Sequence, residues 1–228
     1  MSNNVENGQQ IVTIDGPSGV GKSTISRRVA AHLSFTYLDT GAMYRAVALQ
    51  LQNSNVELSD EAAVQECLQK VSLELLPAAT EDDEVTVLLD GQDISLAIRS
   101  PEISMLASKV SALPAVREKL TAMQQEIGKK GQIVAEGRDT GTVVFPAAAW
   151  KFYLDADPAE RMRRRSAQMR LAGKEVDEEE LLQMILKRDH DDQARTIAPL
   201  CKAEDATVID TSVLSIDEVV AKMLRNVH

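Results

Sequence analysis

A lysine and two hydroxyls close a glycine-rich run near the start of the chain, Gly16-Pro17-Ser18-Gly19-Val20-Gly21-Lys22-Ser23-Thr24. Residues 16–23 fit G-x-x-x-x-G-K-[ST], a phosphate-binding P-loop. Gly16, Gly19 and Gly21 let the backbone turn tightly and approach a ligand. The loop N–H groups then face an anion, and the start of the following helix adds partial positive charge. Lys22 brings a full charge for β- and γ-phosphates. Ser23 brings a hydroxyl for Mg²⁺ held through the nucleotide. The pattern points to a nucleoside-triphosphate site.

Other charged residues recur where chemistry is possible. Arg45 follows Leu38-Asp39-Thr40-Gly41-Ala42-Met43-Tyr44. It falls in the first turns of a predicted helix, where a cation opposes the helix dipole, so a phosphate contact near the P-loop is the functional reading and a solvent-exposed arginine the structural alternative. Arg138-Asp139 sits just beyond Ile133-Val134-Ala135-Glu136, and the carboxyl ends of strands in open α/β sheets are where ligands bind. A surface ion pair between the two is the structural alternative. Arg161, Arg164 and Arg165 share a helix face at i, i+3, i+4, within a run of five arginines and no acid over residues 161–170. That reads as an anion clamp, with a solvated helix face as the structural alternative. Arg188, Asp192 and Arg195 fall at i, i+4, i+7, with an Arg188–Asp192 pair as the structural alternative. Ser108 and Arg117 lie in helical stretches and say nothing alone. His32, His190 and His228 are isolated and offer no convincing general base.

The elements that must position these groups alternate. Val12 and Ile14 suit a buried strand, and Ile25, Val29 and Leu33 suit the helix after it. A strand over 35–39 leads to a helix with Met43, Val47 and Leu51 inward. Ser59 is the predicted cap of a helix to about Lys70. Runs at 72–76 and 85–89, with the Asp90-Gly91 turn, read as a small antiparallel sheet. Both Asp90 and Asp155 imitate a Walker B acid, and the hairpin turn favours the appended sheet for Asp90. Helices follow Ser100-Pro101 and Pro114. Strands cover 132–136 and 151–155. Asp157-Pro158-Ala159-Glu160 fits a capping box. Asp177 caps a helix to about Gln193, closed by Ala198-Pro199. A strand over 207–210 and a capping box at Ser215 and Glu218 end the chain. The fold class is α/β: a parallel sheet flanked by helices, with a subdomain inserted before the third strand.

With 228 residues, 44% hydrophobic, one domain with an insertion is expected. Net charge is −10, against a nucleic-acid surface. Residues 57–102 hold twelve acids against Lys70 and Arg99, so that segment alone carries the surplus. Cys67 and Cys201 read as buried thiols of a reducing cytoplasm. Residues 1–10 are no signal peptide, and no apolar run approaches the ~20 residues of a membrane span.

Taken together, residues 16–24, 38–45, Glu136-Gly137-Arg138-Asp139-Thr140-Gly141-Thr142-Val143-Val144-Phe145-Pro146 and Arg-Asp-x-x-Asp-x-x-Arg-x-x-Ala-Pro-Leu over 188–200 resemble bacterial cytidylate kinases across essentially the whole chain. Thr40 stands where some members have Ser and keeps the hydroxyl. The resemblance implies a P-loop nucleoside monophosphate kinase fold, a core of about 11–56 and 112–228, a nucleotide-binding insertion of about 57–111 and a lid of about 158–175. It implies transfer of the ATP γ-phosphate to CMP or dCMP, with Mg²⁺, by a cytoplasmic monomer. Residues 16–24 would hold the ATP phosphates under a lid carrying Arg161, Arg164 and Arg165. Thr40, Arg117 and Asp139 would read cytosine with help from Arg195; Ser108, Arg188 and Asp192 would contact the pentose; Arg45, Arg138 and Arg195 would hold the CMP phosphate. Lys22, Arg138, Arg188 and Arg195 would be catalytic. The alternatives are a P-loop kinase for UMP or shikimate, and a switch GTPase. The latter needs N-K-x-D, which is absent, and a D-x-x-G that neither Asp90 nor Asp155 supplies.

Overall fold

The computed structural model describes residues 10–78, 80, 83–171 and 173–227; the chain start, His228 and Ala172 within the expected lid lie outside them. Five parallel strands form the main sheet: β1 (Ile11–Asp15), β2 (Thr36–Asp39), β6 (Ile133–Gly137), β7 (Trp150–Asp155) and β8 (Thr207–Asp210), in the order β2-β6-β1-β7-β8. Every residue of β1 and β6 is buried, as interior parallel strands require when helices cover both faces. One face packs on α1 (Lys22–Leu33) and α8 (Ile216–Leu224), through Val12, Ile14, Ile25, Val29, Phe152 and Val219. The other packs on α2 (Thr40–Asn53) and α5 (Pro114–Gly128), through Leu38, Met43, Val47, Leu51 and Leu120.

The expected insertion is present as α3 (Glu61–Lys70), then an antiparallel sheet of β3 (Leu73–Leu76), β4 (Thr86–Leu89) and β5 (Gln92–Asp93), then α4 (Pro101–Val110). Val64, Leu68, Val87 and Leu89 share one apolar core with α2 and α5. Arg27 of α1 adds an ion pair to Glu84 at 2.6 Å. The chain then runs through α6 (Pro158–Leu171) and α7 (Glu178–Gln193).

Several local readings shift. Asp60, not Ser59, caps α3 by accepting from Ala63 N–H. The Asp90-Gly91 turn joins β4 to β5, while β3 pairs with β4. Asp157 accepts from Ala159 N–H, but the capping box does not close. Glu160 is drawn to Arg163 and Arg164 instead, each at 2.8 Å, because two guanidiniums outbid one amide. α7 ends at Gln193 as expected, but Arg195 lies beyond that end and so is not on the stripe of Arg188 and Asp192. Residues 140–144 form a π-helical turn, which no periodicity announces. Cys67 is buried as expected, but Cys201 is exposed. Among the described residues no helix is long and apolar enough to cross a membrane.

Candidate active site

β1, β2 and β6 end side by side, and their carboxyl ends carry the site. The register sets Ile14 and Asp39 beside Glu136, and Asp15 beside Gly137. At the β1 end the P-loop takes the backbone the glycines allow, with φ of 147°, 84° and 90° at Gly16, Gly19 and Gly21. A Cβ at Gly16 would lie 2.0 Å from the Leu154 carbonyl oxygen, so no other residue fits there.

The loop's carbonyls are taken up by its surroundings. Lys22 Nζ donates to the Gly16 and Pro17 oxygens at 2.9 and 2.6 Å. Arg161 Nη1 donates to Ser18 O at 3.1 Å, and Thr211 Oγ1 to Val20 O at 3.2 Å. With the acceptors held this way, the N–H groups are left to serve an anion. Burial and the nearby Arg138 guanidinium push the Lys22 ammonium well below the usual lysine value, against the pull of Glu136 and Asp15.

Ser23 Oγ donates to Glu136 Oε1 at 2.7 Å, and Tyr37 OH donates to the same oxygen at 2.9 Å. Glu136 is 5% exposed, and its Oε2 has no hydrogen-bond partner among the described residues. Burial, and then the Asp39 charge, raise its carboxyl above the usual glutamate value. A hydroxyl whose proton is given to Glu136 keeps its lone pairs for a cation. The pair therefore fits Mg²⁺, which binds through one or two oxygen ligands, waters and substrate phosphates. Asp15 is occupied elsewhere. Its Oδ1 accepts from Thr140 N–H and Oγ1, and its Oδ2 from Gly141 N–H, all within 2.9 Å. It fastens the π turn. Asp90 lies in the antiparallel sheet's turn and Asp155 is exposed at the end of β7, so neither imitation Walker B acid lies where Glu136 does.

The second half of the site is cationic. Asp192 of α7, 1% exposed, gathers it: Arg138 Nε donates to Oδ2 at 3.0 Å, Arg195 Nη2 donates to Oδ1, and Ser108 Oγ lies 3.4 Å from Oδ1. Burial opposes ionisation of Asp192, but Arg138, Arg195 and Arg188 outweigh it and hold its carboxyl below the usual aspartate value. Burial, reinforced by Arg138, Arg45 and Arg195, lowers Arg188 to about 10 despite Asp192. Asp192 against Arg138, Arg188 and Arg195 leaves a surplus of positive charge suited to a dianion.

Arg138 and Asp139 do not pair with each other, nor does Asp192 bond to Arg188. Arg138 goes to Asp192, and Asp139 pairs with Arg117 of α5, both buried. Arg117 also donates to Ser111 O at 3.2 Å and lies 5.6 Å from the Tyr44 ring centroid. Burial raises Asp139 to about 6 even though Arg117 pulls the other way. Thr40 Oγ1 donates to Glu136 O at 2.6 Å, which fixes it at the β6 end. Arg45 is held by Asp39, the α2 N-cap, at 3.1 Å; that carboxylate offsets the dipole penalty noted above.

The arginines of α6 divide. Arg161 is 3% exposed beneath the loop. Arg164 donates to Thr211 Oγ1 at 3.3 Å and to Glu160. Arg165 is exposed and donates to Gln168. His32 bonds Arg28 O on the exposed side of α1, away from any proton to be moved. Glu136 and Tyr37 received no role from sequence. A carboxylate ending an otherwise apolar strand was the available signal, since a buried acid needs a partner or a purpose.

The chain is similar to known proteins along nearly its whole length. The cytidylate kinase family profile matches residues 12–228. A cytidylate kinase of Carboxydothermus hydrogenoformans is 49% identical, covering 93% of this chain and 95% of that one. A cytidylate kinase of Syntrophotalea carbinolica is 45% identical, covering 96% and 92%. Among solved structures, an uncharacterized protein from Eubacterium ventriosum shares the fold with a TM-score of 0.51 at 12% identity, covering 96% of this chain and 98% of that one.

Proposed function

The chain belongs to the cytidylate kinase family, and from that premise we propose that it transfers the γ-phosphate of ATP to CMP or dCMP, giving ADP and the diphosphate. One observation carries the geometry. The β1–β6 register sets Asp15, which leads into the P-loop, beside Gly137, which leads into Arg138, and Arg138 is bonded to Asp192 of α7, so the donor and acceptor phosphates would meet in a single cation-rich space.

In this reading residues 16–24 cradle the donor phosphates. Arg45, Arg138 and Arg195 hold the acceptor phosphate, Ser108, Arg188 and Asp192 the pentose, and Thr40, Arg117 and Asp139 the cytosine. The acceptor is a phosphate monoester with a second pKa near ~6, mostly dianionic at neutral pH, so no general base is needed. Lys22 leaves the two loop carbonyls for the migrating phosphoryl group, and Arg138, Arg188 and Arg195 neutralise charge that spreads over its oxygens. Ser23 and Glu136 would hold Mg²⁺, which when bound neutralises the β- and γ-oxygens. Residues 158–175 would close over the nucleotide and exclude water, a competing acceptor. The reading keeps the chain a cytoplasmic monomer whose partners are its nucleotides; the two free thiols support a reducing compartment.

The test is a coupled ADP-release assay over CMP, dCMP, UMP, AMP and shikimate. CMP and dCMP should lead in kcat/KM by at least ~10²-fold, as expected where buried polar groups read the substrate. Equal or better use of UMP or shikimate would reject the assignment.

A further inference from the structure

The two halves of the site are joined behind the P-loop by one buried guanidinium. Arg161 Nε donates to Ala156 O at 3.0 Å and Nη1 to Ser18 O at 3.1 Å, while Nη2 lies 2.6 Å from Asp189 Oδ2. Gly19 presses on its stem; a Cβ there would sit 3.3 Å from Arg161 Cβ. Asp189 belongs to α7, next in sequence to Arg188 and three residues before Asp192. It is 13% exposed, and its Oδ1 has no hydrogen-bond partner among the described residues. A single planar fork thus touches the donor loop and the helix that carries the acceptor cluster.

This arrangement is poorly suited to a phosphate clamp. Swinging Arg161 onto a nucleotide would strand the Asp189 carboxylate in a mostly buried place and release the Ser18 carbonyl, and breaking a buried ion pair one-sidedly is costly. The rigid fork holds three acceptors in fixed relation, which a flexible ammonium does not. Loop and helix are therefore constrained to shift together.

We propose that Arg161 and Asp189 are positioning residues that couple the two substrate sites. A filled P-loop fixes Ser18, Arg161 transmits that position to Asp189, and α7 carries Arg188 and Asp192 into place for the acceptor. The coupling rests on the CMP kinase reading given above. It assigns Arg161 to a strut between sites, leaving direct nucleotide contact to other residues of α6.

Calorimetric titration of CMP, with and without saturating Mg²⁺ and ADP, reads the coupling without turnover, since ADP is the spent donor. The intact chain should bind CMP at least ~5-fold tighter when ADP is present, the lower end of usual coupling between sites. Asp189→Asn keeps the shape, removes the charge, and should bring that ratio below ~2-fold while ADP alone still binds. A purely structural role would lower melting temperature and leave the ratio intact. Should Asp189→Asn fail to fold, Arg161→Lys supplies the second variant, with the same loss expected. An intact chain without coupling, or variants that keep the full ratio, would overturn the proposal. CMP that does not bind the intact chain under either condition would overturn the acceptor assignment, and this inference with it.

Discussion

The donor loop and the acceptor cluster handle negative charge in opposite ways. The loop is one contiguous turn whose backbone supplies N–H groups while Lys22, Arg161 and Thr211 take up its carbonyls. The acceptor side draws side chains from α2, α4, α5, the end of β6 and α7. Burial, reinforced by the neighbouring guanidiniums, brings Arg188 down to about 10, and Asp192 is the carboxylate that holds Arg138 and Arg195. A backbone trap exists before its ligand arrives. A side-chain cluster of like charges is completed by its ligand. Changes on the donor side should therefore act on the chemical step, and changes at the acceptor residues proposed to face the base, Arg117 and Asp139, on binding and choice of substrate.

The sharpest break in that division is Lys22→Ala. It removes the charge that follows the migrating phosphoryl group, and kcat should fall at least ~10²-fold with the fold retained. Circular dichroism and steady-state kinetics check both parts. Near-normal turnover would mean that the loop's lysine does no catalytic work here. Next in size is Glu136→Gln, which leaves Ser23 Oγ a poorer acceptor and removes the charge behind it. The Mg²⁺ concentration for half-maximal rate, and Mn²⁺ binding followed by electron paramagnetic resonance, should both shift by ~10-fold or more, the usual cost of losing a carboxylate that orients a metal ligand. An unchanged metal requirement would move Glu136 from the donor chemistry to the fold alone.

The same contrast explains what sequence could disclose. The P-loop is legible because its function is local: the glycines, the lysine and the hydroxyl act at fixed spacing, and β1 and α1 flank them as the apolar pattern requires. The alternation of strands and helices was legible for the same reason. On the acceptor side the residues were named by resemblance, while their partners were not foreseeable. Arg138 and Asp139 are neighbours in sequence, and their backbone sends them to Asp192 and Arg117, 54 and 22 residues away. Glu136 looked like the end of a core strand, and only the β1–β6 register puts it under Ser23. Arg161, Arg164 and Arg165 share a helix face on paper. Packing sends Arg161 to the loop and Arg164 to the β8 end, while Arg165 stays exposed with Gln168 of the same helix.

A smaller effect sharpens the acceptor half. Asp139 is raised to about 6 in the folded chain, chiefly by burial, from an ordinary value of 3.8. Its ionised form is thus disfavoured in the fold, so its contribution to stability grows as pH falls through 6 towards 4. The proposed reading of the cytosine amine would require the opposite state, the carboxylate. KM for CMP should rise several-fold between pH 7 and pH 5, beyond the rise owed to the substrate's own phosphate, which titrates near ~6. Asp139→Asn should retain the phosphate component and lose the rest. Identical pH profiles for the two proteins would remove Asp139 from acceptor binding.

The proposed function gives the choice of base to buried polar groups. In the proposed reading cytosine offers an amine that Asp139 would accept from and a ring acceptor that Arg117 would serve; uracil offers a carbonyl and an N–H at those places, which would leave both residues opposed or unpaired. The direct measurement is kcat/KM for CMP and for UMP in the intact chain and in Asp139→Ala. CMP should lose at least ~10²-fold and UMP much less, so the ratio between them narrows. An equal loss for both substrates would contradict the account and leave Asp139 as a structural partner of Arg117.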